Sequence, residues 1–128
     1  MADKKTLEAL IARAEQRKDD KISYKVYRSD LLGCDIKLKK PPMKTVLDLV
    51  DKVDEEETAY GLLEIDAQLI YEAWPVIKEN FADLQEAYEA SDPYELILKM
   101  FDSNIDELDK IAKEVISFYM GSLDDLKN

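Results

Sequence analysis

The chain has no histidine, a single cysteine, three glycines and one tryptophan in 128 residues. Without imidazole there is no Ser–His–Asp triad, no His–carboxylate zinc site and no histidine to act as acid or base near neutrality. A lone Cys34 excludes an internal disulfide and a cysteine metal cluster. Gly33, Gly61 and Gly121 are too scattered to form a glycine-rich phosphate loop. Long apolar runs are missing as well, and mean hydropathy is −0.39. A membrane span needs about 20 apolar residues, and no stretch supplies them. Met1-Ala2-Asp3-Lys4-Lys5 leads straight into an amphipathic pattern rather than a secretory signal. These absences predict a soluble, unexported chain with no cofactor and no metal, and they close most routes to catalysis.

What is present suits one domain spanning residues 1–128. Apolar residues make up 46% and charged residues 37%, enough for a core and too apolar for a disordered tail. The net charge of −11 is unevenly spread. Residues 1–44 carry 12 Lys and Arg against 7 Asp and Glu, whereas residues 45–128 carry 6 against 22. An acidic body repels phosphate, so neither nucleic acid nor an anionic membrane is an expected partner. The basic N-terminal third either steers an acidic partner or docks on the acidic body.

Periodicity predicts a mainly α protein of the α+β kind: about five helices in a bundle, with a small N-terminal β-hairpin. Leu7, Leu10, Ile11 and Ala14 recur at helical spacing in an N-terminal helix within residues 1–20, followed by the polar run Glu15–Lys21. A helix with so little to bury is marginal alone, so it is a mobile or a docking element. The period then becomes two over 22–40. Ile22, Tyr24 and Val26 share one face of the first strand, and Cys34, Ile36 and Leu38 share one face of the second, giving a hairpin with one buried side. On this reading Tyr27 faces outward and Cys34 is a small buried hydrophobe. Gly33 suits the turn, and Pro41-Pro42 ends the sheet.

The bundle is expected over 44–120. Val46, Leu49, Val50 and Val53 form one stripe, which stops at the acidic run Asp54–Glu57. Thr58 caps a central helix bearing Leu62, Ile65, Leu69, Ile70 and Ala73, broken at Trp74-Pro75. Ile77, Phe81, Leu84 and Tyr88 carry one further helix. Asp92, Pro93 and Glu95 form an N-cap, first position and capping-box acid, and Asn104 with Glu107 repeats the pattern. Gly121 sits where a helix-ending glycine belongs, before a polar tail over 121–128.

Candidate chemistry is sparse. Asp48, Asp51 and Asp54 line one helix face, but the alternating oxygens, central glycine and closing glutamate of a calcium loop are missing. Tyr71, Tyr88 and Tyr119 lie on apolar stripes, as core residues do. Tyr24, Lys25, Tyr27 and Arg28 make a small basic–aromatic patch suited to a protein interface. A non-enzymatic interaction module is therefore expected.

The order of the motifs resembles a phage family. The charged N-terminal helix, the hairpin ending Leu38-Lys39-Lys40-Pro41, and Gln68-Leu69-Ile70-Tyr71 before Pro75 are similar to the XkdN-like tail assembly chaperones of long-tailed phages and prophages of Gram-positive bacteria. Leu84, Glu86-Ala87-Tyr88, Asp92-Pro93, Leu96-Ile97 and Phe101 extend the likeness over roughly residues 6–118. The resemblance implies a non-catalytic chaperone of the host bacterial cytoplasm, absent from the mature virion. Its partner would be the long, helical tape measure protein, kept soluble while tail-tube subunits polymerise around it. Self-association is a further expectation. So is a longer form made by a −1 ribosomal frameshift, since codons of the form xxA-AAA-AAC can encode Leu126-Lys127-Asn128. The candidate partner-binding positions are Leu7, Leu10, Tyr27, Val46, Val50, Tyr71 and Trp74. The alternative is an acidic phage-encoded inhibitor that mimics nucleic acid to bind a host protein, a role the basic hairpin fits poorly.

Overall fold

Two periods divide the sequence, and the computed structural model, which describes residues 2–19 and 24–119, changes architecture where they change. Helix α1 (Ala2–Asp19) precedes the strands β1 (Tyr24–Ser29) and β2 (Cys34–Lys39). There follow α2 (Met43–Glu55), α3 (Ala59–Ala73), α4 (Pro75–Glu79), α5 (Phe81–Tyr88), α6 (Pro93–Met100) and α7 (Ile105–Ile116). Ile22, Gly121 and the tail over 121–128 lie outside the described residues. The fold is mainly helical with a two-stranded antiparallel hairpin, but the bundle is cut into more pieces than the stripes suggested. Pro75 starts α4 at its first position, and Asn80 separates α4 from α5 where one continuous helix was expected.

Local chemistry explains most boundaries. The Thr58 hydroxyl accepts the Gly61 amide at 2.9 Å to cap α3. Asp92 accepts the amides of Tyr94 and Glu95 at 3.0 and 2.8 Å, and Asn104 accepts that of Glu107 at 3.0 Å. The reciprocal half of each capping box is absent. The Ser91 hydroxyl donates to Glu95, which also pairs with Lys99 at 2.9 Å, and the side chain of Glu107 is turned toward the hairpin.

Helix α3 is the centre of the bundle, packed against α7, α6 and α2. Ile65, Ala67, Leu69, Ile70 and Ala73 are all buried, spread over more than one face, while Leu62 is exposed. Around α3 the core is completed by Val46, Leu49, Trp74, Ile77, Leu96, Ile97, Phe101, Leu108, Ile111 and Val115. Among the described residues no buried side-chain nitrogen or oxygen lacks a partner.

Two expectations about the hairpin fail. Tyr27 pairs with Ile36 and Lys25 with Leu38, so Lys25, Tyr27 and Ser29 form the inner face of β1. Tyr24 and Val26 point out and are exposed. Strand β1 therefore shows the opposite parity to its apolar pattern. In β2 the expected parity holds for Ile36 and Leu38, both fully buried. It does not bury Cys34, the first residue after the turn, which is exposed.

Candidate interaction surface

The reversed strand has a specific chemical cause on α7. The Tyr27 hydroxyl donates to one carboxylate oxygen of Glu107 at 3.1 Å, and the Ser29 hydroxyl donates to the other at 2.8 Å. Ser29 is fully buried and also accepts the Leu32 amide at 3.1 Å. At the other end of β1, the Lys25 ammonium donates to the Ser117 hydroxyl and lies 5.0 Å from the centre of the Phe118 ring. Lys25 thus meets the end of α7 and Ser29 its start, so β1 runs antiparallel to α7 along most of its length. Partial burial and the adjacent Glu107 carboxylate raise the Tyr27 pKa above its ordinary value. The turn closes with the Gly33 amide donating to the Ser29 carbonyl at 2.9 Å, and Gly33 holds a φ of 70°, a conformation that favours glycine.

With its polar side satisfied inward, the hairpin presents a mixed outer face. Tyr24 and Val26 are flanked by Arg28, Asp35, Lys37 and Lys39. Lys37 lies over the Tyr24 ring at 4.3 Å, and Arg28 pairs loosely with Asp35 at 3.6 Å. Beyond β2, the Tyr119 hydroxyl donates to the Pro41 carbonyl and Lys40 lies 4.6 Å from the Tyr119 ring. A cleft of about 330 Å³ opens there between the hairpin end and the α3–α4 junction. Lys39, Lys40, Pro41, Pro75 and Lys78 are among its walls, with Lys78 held by Glu72 at 2.8 Å. Its lining combines these lysines and proline rings with the carboxylates of Glu72 and Glu79.

Helix α1 is the other open surface. Every side chain described from Asp3 to Gln16 is exposed, including Leu7, Leu10 and Ile11 at 57, 62 and 52%. Of the candidate binding positions, Leu7 and Leu10 are thus available to a partner. Val46 and Trp74 are core residues, with Trp74 stacked at a tilt on Phe101, 6.3 Å between ring centres. Val50 is half-buried against the core. Tyr71 is half-buried and makes T-shaped contacts with Phe81 and Tyr94, with 6.3 Å between ring centres in each. Tyr27 is anchored inward by Glu107 rather than facing solvent. Tyr24 and Val26 are among the open apolar residues that the pattern placed inside, and the alternating set Lys25, Tyr27, Ser29 was the available sign.

No group of three or more Asp, Glu or Cys side chains able to hold a metal occurs among the described residues. No helix among them is long and apolar enough to cross a membrane. Asp66 on α3 is the group most displaced from ordinary titration. Burial, and then the nearby Asp109 carboxylate, push it up to about 7, against a smaller opposing effect of Lys113. It is half-buried on the side of α3 near Asp109 and Lys113 of α7 and stands apart from the cleft. Comparison with protein-family models, curated proteins and solved structures finds no match to this chain.

Proposed function

We propose that this chain is a non-catalytic tail assembly chaperone of the XkdN-like kind. It binds the tape measure protein of a long-tailed phage in the host cytoplasm, holds it soluble while tail-tube subunits assemble, and is left out of the virion. The observation that carries this reading is the apolar stripe of α1, whose Leu7, Leu10 and Ile11 stand open on a helix attached to an acidic body. A stripe of this kind pairs with amphipathic helices through i, i+3 and i+4 anchors. The surplus of carboxylates gives the loaded complex a net charge that opposes aggregation. The order of motifs from the N-terminal helix to Phe101 supports the same assignment.

Co-expression with the long helical protein encoded downstream in the same genome tests it. The expected result is that the partner becomes soluble only with this chain, co-elutes at low and moderate salt, and is lost with Leu10→Glu. Failure to solubilise or co-elute would sink the assignment for that partner. Capture of a host nucleic-acid-binding protein with steep salt dependence would favour the inhibitor alternative instead.

A further inference from the structure

We propose that the free edge of β2 is a docking edge, at which an extended acidic segment of a partner protein adds as a third strand. The sheet has two strands, so each strand keeps one edge without a neighbouring strand. Ile36 and Leu38 are fully buried, and buried backbone groups need partners. Their amides and carbonyls therefore bond across to β1, to Tyr27 and Lys25 opposite them. Successive residues of an antiparallel strand turn these groups to opposite sides. Those of Asp35, Lys37 and Lys39 thus point away from β1. All three residues are exposed, and no backbone hydrogen bond reaches them from another element among the described residues. An edge of this kind is a template for one more strand.

Charge selects the segment. Lys37 lies over the Tyr24 ring and Lys40 over the Tyr119 ring, and neither they nor Lys39 form an ion pair among the described residues. The other charges nearby are largely matched: Asp35 with Arg28, Lys78 with Glu72, and Lys44 with Asp48. Glu79, on the cleft wall, has no cation paired to it among the described residues. Three lysines therefore stand uncompensated against one glutamate. The edge of β1 has the opposite surroundings, since Asp30, Glu107 and Glu114 all act on Tyr27. Carboxylates are drawn to β2 and repelled from β1.

The cleft of about 330 Å³ continues this edge past Lys39 and Lys40, between Pro41, Pro42 and Pro75, and gives the segment room where it enters. In antiparallel addition the N-terminal end of the segment lies there. Residues directly opposite Lys37 and Lys39 exchange both backbone bonds with them and hold their carboxylates on the same outer face. The intervening side chains share the face of Ile36 and Leu38 and are apolar. The segment so defined alternates acidic and apolar residues. This inference does not rest on the tape measure reading, which engages α1.

The probe is the acetylated, amidated hexapeptide Val-Glu-Val-Glu-Val-Thr, titrated into the full chain and followed by NMR amide exchange. The amides of Asp35, Lys37 and Lys39 should exchange fast in the free chain and become protected on binding, while those of Tyr24, Val26 and Arg28 stay fast. Methylating the two glutamate amide nitrogens removes donors aimed at β2 and should weaken binding about tenfold, whereas methylating the two valines that follow the glutamates should change it by no more than about twofold. Lysine in place of both glutamates should also cost about tenfold, and Lys37→Glu with Lys39→Glu, both at exposed positions, should reverse that preference. Absence of binding at millimolar peptide overturns the proposal. So do equal effects of the two methylation patterns, which would leave only a charge contact, and protection of β1 in place of β2. Slow exchange of the three β2 amides in the free chain overturns it as well, because a second copy or another part of the chain would already cover the edge.

Discussion

Helices α1 and α7 carry apolar residues at the same helical spacing, yet α7 is buried along its stripe and α1 is open along its own. The difference lies in what surrounds the spacing. In α7, Leu108, Ile111, Ala112, Val115 and Ile116 form an unbroken face, and Asn104 caps the first turn. In α1, the apolar face is Leu7, Leu10, Ile11 and a small Ala14 within 18 residues, and the last turns are wholly polar. A short stripe cannot offset the entropy of ordering a helix against the bundle, and a long one can. The same contrast recurs within β1, whose inner side is polar and fully bonded while its outer side is apolar and uncovered. In this chain, burial follows the quality of the available partner more closely than it follows hydrophobicity.

The comparison can be broken from the buried side first. Phe101→Ala removes a fully buried ring beside Trp74 and should destabilise the bundle by about 3–5 kcal/mol in urea unfolding. Glu107→Ala comes next, because it strands the buried Ser29 hydroxyl and frees Tyr27. A loss of about 1–3 kcal/mol is expected, with the largest rise in amide exchange confined to the hairpin. If exchange rises evenly across the bundle, Glu107 is not the hairpin's anchor.

Asp66→Asn should act in the other direction and depend on pH. An ordinary Asp carboxyl titrates near 3.8 and the folded one near 7, so the folded state holds the extra proton between those values. Stability therefore falls as pH rises from about 4 to about 7 and stays lowered above it. The amide cannot ionise, so the variant should be more stable at pH 8 by on the order of 1 kcal/mol after allowance for partial solvent screening. It should match the parent at pH 4. An unchanged pH profile would mean that Asp66 remains ionised and solvated. The smallest effect is expected from Leu10→Glu, whose change in bundle stability should stay within about 0.5 kcal/mol because α1 contributes little to the core.

Much of this architecture can be read in the residues themselves. The caps Thr58, Asp92 and Asn104, the breaks at Pro41-Pro42 and Pro75, and the stripes of α2, α6 and α7 rest on local chemistry, which acts within a few residues. The class of fold and the core list follow from that. Three features depend on contacts between distant parts of the chain. The parity of β1 was set by Glu107 and Ser117, which lie about 80 to 90 positions further on, so no alternation within the strand could reveal it. Cys34 is exposed although it is in phase with Ile36 and Leu38, because burial of a strand residue depends on which helix reaches over it. The binding positions followed the same rule: Trp74 and Val46 carry the apolarity of an interface and went into the core, while Tyr24 and Val26 were left outside. Local sequence determines which elements form and where they stop, since that chemistry is short in range. Which face each element shows to its neighbours was decided by tertiary packing, where hydrogen-bond partners and covering surfaces are supplied from far along the chain.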